Sequence, residues 1–207
     1  MNEVAIPKPQ QFEDEGETVT APHVWHNAQN GIRMAEVINK SLTELEPNQA
    51  ELYADNTQKL TSELTQIDNW IKSQIATIPP NQRKLVTTHD ALGYYVKAYG
   101  LSFEGALGSF STEEKPTAAR VKEVVNIIKN TGVPTVFAET TTNPKLIQTV
   151  AREANVKVSK REVFADSLGE PGTEGETYQG MLIANTRTIV EGLAGNYTAF
   201  AFKTATP

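Results

Sequence analysis

The sequence predicts an α/β protein, a doubly wound and mostly parallel sheet of four strands flanked by helices, with a long helix ahead of it. Three observations predict this class. From Lys84 onward, short apolar runs alternate with segments of helical periodicity, the pattern of parallel strands joined by right-handed crossovers. One periodic segment, 48–78, is far longer than its neighbours and stops at Pro79-Pro80. At 39% hydrophobic and 21% charged residues, the composition is that of a folded chain able to bury a sizeable core.

Taken in order, residues 1–22 hold three prolines and five acidic residues with little periodicity, and read as an extended, weakly ordered leader. From Asn27 to Leu45, apolar residues recur at Ile32, Ala35, Ile38, Leu42 and Leu45, one face of a helix that Pro47 interrupts. In 48–78 the stripe is Tyr53, Leu60, Leu64, Ile67, Ile71 and Ile78. A helix of that length measures about 45 Å at 1.5 Å per residue, more than a small domain spans.

Beyond it the spacing predicts strand 84–88, helix 91–99, strand 101–107, helix 117–131 and strand 135–138. Helix 144–154, strand 156–164 and helix 177–193 complete the alternation. Asn143-Pro144 reads as an N-cap followed by proline at the first helical position, and Gly132 and Gly195 stand where helices commonly stop. The closing run YTAFAFKT reads either as an added edge strand or as a trailing tail.

Open α/β sheets bind ligands beyond the carboxyl ends of their strands. The reading above places His89, Glu139 and Asp166 there, and a further histidine, His23, stands in APHVWHN. Imidazole and carboxylate are donors suited to zinc, manganese and iron, and the absence of cysteine leaves only nitrogen and oxygen donors. Blander readings stand beside this one. His89 before Asp90 can be a buried histidine next to a helix-capping aspartate, and Asp166 before Ser167 a turn or cap residue. Glu139 can close a strand facing solvent, and His26 reads only as a backbone contact. The net charge of −6 argues against nucleic acid and anionic membrane partners.

PHVWHN at 22–27, LVTTHDALGYYVKAYGL at 85–101, VPTVFAETTTNPKLIQTVAREANVKV at 133–158 and FADSLGEPGTEGETYQGMLIANTRTIVEGL at 164–193 resemble the metal-binding solute-binding proteins of zinc and manganese ABC importers. The resemblance implies two α/β lobes joined by one long helix, with a transported metal clamped between them. It implies a first-lobe remnant over 1–47, a connecting helix over 48–78 and a C-terminal lobe over 79–207. By resemblance the metal ligands are His23, His89 and Asp166; the strand-end reading adds Glu139 as a supporting or cleft residue. The family's fourth ligand, an upstream histidine, has no match, so the chain reads as a C-terminal fragment with an incomplete site and His23 detached from the lobe that would position it. Ala21 stands where the family usually has aspartate.

The implied activity is extracytoplasmic capture of a divalent metal for an importer permease, without covalent chemistry. Histidine at position 89 tilts the choice toward zinc over manganese. The competing functions are a hydrolase with a metal held by His89, Glu139 and Asp166, and a surface adhesion module. Apolar stripes left open by the missing lobe imply a homodimer or a swapped long helix. His89 itself is then expected to face water or a neighbouring molecule.

Overall fold

The structure is a computed structural model that describes residues 10–14, 17–108 and 117–203. Its first element corrects the sequence reading. Strands β1 (Gln11–Asp14) and β2 (Glu17–Thr20) pair antiparallel, so part of the expected leader is a hairpin. It is fastened to the body where Gln10 donates its side-chain amide to the Gly93 carbonyl at 3.1 Å and its backbone N–H to the Tyr94 hydroxyl at 2.9 Å.

Helix α1 (Ala28–Leu45) starts at an Asn27 cap whose side chain accepts the Gln29 N–H. After a single turn at Pro47–Gln49 comes α2 (Ala50–Ala76), 27 residues long, which lies against α1 and against the last helix. Its interior stripe, Leu64, Ile67, Ile71 and Ile75, is buried, and each such side chain contributes roughly 1.5–3 kcal/mol of burial. Two buried polar residues, Asp68 and Gln74, interrupt the stripe. Asp68 is buried, accepting from the Tyr99 hydroxyl at 3.1 Å, the Gln29 side-chain amide at 2.9 Å and Lys72 at 2.7 Å, which ties together three helices.

The lobe that follows alternates as expected: β3 (Lys84–Thr87), α3 (Gly93–Tyr99), β4 (Ser102–Ala106), α4 (Ala118–Thr131), β5 (Thr135–Val136), α5 (Lys145–Ala154), β6 (Lys157–Val158) and α6 (Tyr178–Gly192). Thr117 and Thr177 cap α4 and α6 with their hydroxyls, and Gly132 closes α4 in a left-handed conformation that glycine adopts without steric cost. Asn143 accepts the Lys145 N–H at 3.0 Å, while Pro144 stands at the cap position itself, one residue earlier than expected.

The pairing is parallel, β3 with β4 and β5 with β6, and the two ladders are joined by a bridge between Thr87 and Phe137. The expected four strands are thus two two-stranded ladders with bridges beyond them; the long strand foreseen over 156–164 shortens to two residues and rejoins at Val163, opposite Glu139. Alternating side chains serve opposite faces. Leu85 and Phe137 pack with α2, α3 and α6, whereas Val86, Val136 and Ala138 pack with α4 and α5.

The carboxyl-terminal run is neither an edge strand nor a loose tail. Residues 196–203 run along α2: Asn196 N–H donates to Thr77, Thr198 N–H to Gln74, Lys203 N–H to Gln66, and the Trp70 indole to the Thr198 carbonyl at 3.1 Å. Nearer the start of the long helix, Ile38, Leu42, Leu45 and Leu52 are exposed beside a groove of about 340 Å³ between α1 and α2. No helix among the described residues is long and apolar enough to cross a membrane.

Candidate metal centre

Three segments deliver the site. His23 begins the single turn Val24–His26 that leads into α1, His89 lies just beyond the end of β3, and Asp166 directly follows the buried Ala165. One ligand atom from each of these three side chains lies within 4.8 Å of the others. Asp166 Oδ1 stands 3.2 Å from His23 Nε2 and 3.2 Å from His89 Nε2. A tetrahedral shell with bonds of about 2.0–2.1 Å separates its donors by roughly 3.3–3.4 Å, close to both separations made by Asp166.

Glu139 is also brought to the site, in a different role. It is fully buried, accepts the His89 backbone N–H on Oε1 at 3.0 Å, and contacts His89 Nδ1 through Oε2. A carboxylate on Nδ1 keeps the proton there and leaves Nε2 as the lone-pair donor, directed at Asp166 and His23. Because Glu139 and Asp166 address opposite edges of one ring, they do not share a cation on His89. This removes the geometry of a hydrolytic centre built from His89, Glu139 and Asp166.

Of the blander readings of His89 and Asp166, only the helix-capping aspartate is overturned: the cap position of α3 is Leu92, so Asp90 caps no helix. His89 is a buried histidine with carboxylates at both ring nitrogens, and Asp166 lies in a bend more than ten residues ahead of α6. His89 is buried, 2% exposed, and therefore does not face bulk water as expected.

Burial lowers the His23 pKa, assisted by the nearby His89 and opposed by Asp166. For His89 burial also acts downward, but the hydrogen bonds and charges of Glu139 and Asp166 outweigh it and raise the ring above its usual 6.5. Asp90 is pushed up to about 6, chiefly by burial. Without a cation, a proton on His89 Nε2 can take its place opposite Asp166.

His23 was expected to be detached, and it is instead anchored in this chain. It is 3% exposed, with its ring edge-on to Trp25 and His89 at centroid distances of 5.4 Å. The following backbone is held by Tyr178, whose hydroxyl donates to the Trp25 carbonyl at 2.6 Å, and by Asn30, which donates to the Val24 carbonyl. Sequence reasoning left His26 as a backbone contact. It is fully buried with Nε2 2.9 Å from the Ala165 carbonyl, and the Trp25 indole donates to the same oxygen at 3.0 Å.

Fold and site together define a class: an α/β lobe that gathers imidazole and carboxylate donors beyond its parallel strands. The family model described as "Zinc-uptake complex component A periplasmic" (ZnuA) matches residues 2–192, and the chain belongs to that family. It is 35% identical over 173 residues to the manganese-binding lipoprotein MntA of Halalkalibacterium halodurans, covering 84% of this chain and 57% of the relative. With the manganese ABC transporter substrate-binding lipoprotein PsaA of Streptococcus pneumoniae it shares 34% identity over 84% of this chain and 55% of the relative. Among solved structures, the periplasmic zinc binding protein TroA from Treponema pallidum superposes with a TM-score of 0.84 at 28% identity, covering 91% of this chain and 69% of that one. The chain thus spans little more than half the length of these curated relatives.

Proposed function

We propose that this chain captures a divalent transition metal outside the cytoplasmic membrane, in the periplasm or anchored at the cell surface, and supplies it to an ABC importer permease. His23, His89 and Asp166 bind the ion as cargo, and Glu139 holds His89 in the tautomer that can bind it. The observation that carries the reading is the convergence of three ligand atoms within 4.8 Å, from segments far apart in sequence. Relatives named for metal transport support it, and no covalent step is required.

Zinc is the preferred cargo in this reading, because two imidazoles and one carboxylate suit it better than manganese. The relatives named for manganese and TroA, named for zinc, span both metals. Three protein donors leave one position of a tetrahedral shell for water or a further donor, so binding by this chain alone is weaker than a closed four-ligand site would give. By the same reading α2 is the connector between lobes. The exposed Ile38, Leu42, Leu45 and Leu52 favour a homodimer or exchanged helix, and sedimentation showing a monomer at high concentration counts against it.

Calorimetric titration of zinc and of manganese into chelator-treated protein tests the function. Saturable binding that His89→Ala and Asp166→Ala both abolish is expected. Unchanged affinity in either variant removes that residue from the site.

A further inference from the structure

One carbonyl oxygen receives two ring N–H donors from consecutive residues. The Trp25 indole lies 3.0 Å and His26 Nε2 2.9 Å from Ala165 O, across about 140 positions of sequence. Adjacent side chains on an extended strand point to opposite sides. Here the turn Val24–His26, closed by the N–H groups of His26 and Asn27 on the carbonyls of His23 and Val24, turns both rings toward one oxygen. A carbonyl oxygen has two lone pairs, so both bonds can form together. The carbonyl only accepts, which fixes His26 as the tautomer carrying its proton on Nε2.

The location gives this pairing its meaning. Trp25 and His26 follow the ligand His23 within three residues, and Ala165 immediately precedes the ligand Asp166. Tyr178 completes the arrangement by donating to the Trp25 carbonyl from α6. We infer that Trp25 and His26 are positioning residues, whose convergent hydrogen bonds to the Ala165 carbonyl set the distance between the His23 and Asp166 donors. The inference rests on the metal-binding reading above and adds a claim about what holds the donors in place.

Three variants test it. His26→Leu and Trp25→Phe each remove one donor while keeping apolar bulk, and His26→Gln retains a donor near the same place. Zinc affinity is measured by calorimetry, coordination geometry from the visible absorption of the cobalt(II)-loaded protein, and stability by urea unfolding. Outer hydrogen-bond partners of metal ligands are commonly worth 10–100-fold in affinity. A loss of roughly that size is expected for His26→Leu and Trp25→Phe, with shifted cobalt bands, and recovery of most of it in His26→Gln.

Wild-type zinc affinity and cobalt spectra in His26→Leu and Trp25→Phe overturn the inference. So does an equal loss in all three variants with unchanged cobalt spectra, which marks a purely structural role. If His26→Leu does not fold, Trp25→Phe decides by the same criteria. Absence of metal binding by the unaltered chain instead overturns the proposed function, and the inference falls with it.

Discussion

Glu139 grips His89 at two points, accepting its backbone N–H at 3.0 Å and meeting its ring at Nδ1, so that strand-end backbone and imidazole are oriented by one buried carboxylate. Glu139→Gln weakens the acceptor on the ring and loosens the tautomer. Zinc affinity is expected to fall by roughly 10–100-fold with the fold intact, measured by calorimetry alongside far-UV dichroism. Equal affinity in the variant would show that Glu139 contributes only packing.

Metal capture is expected to depend on pH through His89. Its proton must leave before Nε2 can bind a cation, and Glu139 and Asp166 hold its pKa above 6.5 despite burial. Zinc affinity should therefore decline about tenfold per pH unit once the pH falls below that raised value, a decline that begins above 6.5. In the metal-free chain the same group stabilises the fold below 6.5, and that contribution is lost as pH rises through the raised pKa. Titrations between pH 5.5 and 8 with and without zinc separate the two trends.

His26 works with the opposite sign. Burial holds its folded pKa at about 3, so the unfolded chain takes up a proton below 6.5 that the folded chain refuses. Its stabilising contribution is complete above 6.5 and drains away at about 1.4 kcal/mol per pH unit as the pH falls toward 3. Urea unfolding at pH 7, 5.5 and 4.5 should show a shallower acid dependence in His26→Leu than in the unaltered chain.

Selectivity should follow the donor at position 89. Replacing imidazole by carboxylate in His89→Glu is expected to raise the ratio of manganese to zinc affinity, read by competition calorimetry. An unchanged ratio would place metal choice elsewhere in the shell.

At the crossing of α1, α2 and α3, Tyr99→Phe removes a hydroxyl that donates to buried Asp68 and accepts the Ala28 N–H at 3.2 Å. Leaving that N–H unpartnered in a buried place costs about 1–3 kcal/mol in urea unfolding, without a direct effect on the metal donors.

The sequence reading and the structure agree where signals are local. Helical periodicity with Thr117, Thr177 and Asn27 at the boundaries located the helices to within a residue or two, and strand-end placement put His89, Glu139 and Asp166 at one edge. What escaped was built from long-range contacts. The attachment of 196–203 runs through Gln66, Trp70 and Gln74 of α2 and through Thr77 just past its end, and nothing nearby in sequence marks them. His26 was passed over for the same reason, since its partner lies 139 residues away. Glu139 is legible in the sequence as a supporting or cleft residue, but spacing does not reveal which edge of the His89 ring its carboxylate meets.

Of the three proposed donors, the histidine side chains are 4% and 2% exposed, while that of Asp166 is 32% exposed. The centre therefore has a front and a back. A departing ion would release its carboxylate at the doorway first and its imidazoles last, with Asp166 acting as the latch and the two rings as the hinge side. Residence time should then respond most steeply to changes at Asp166, whereas the histidines set how deeply the ion is seated.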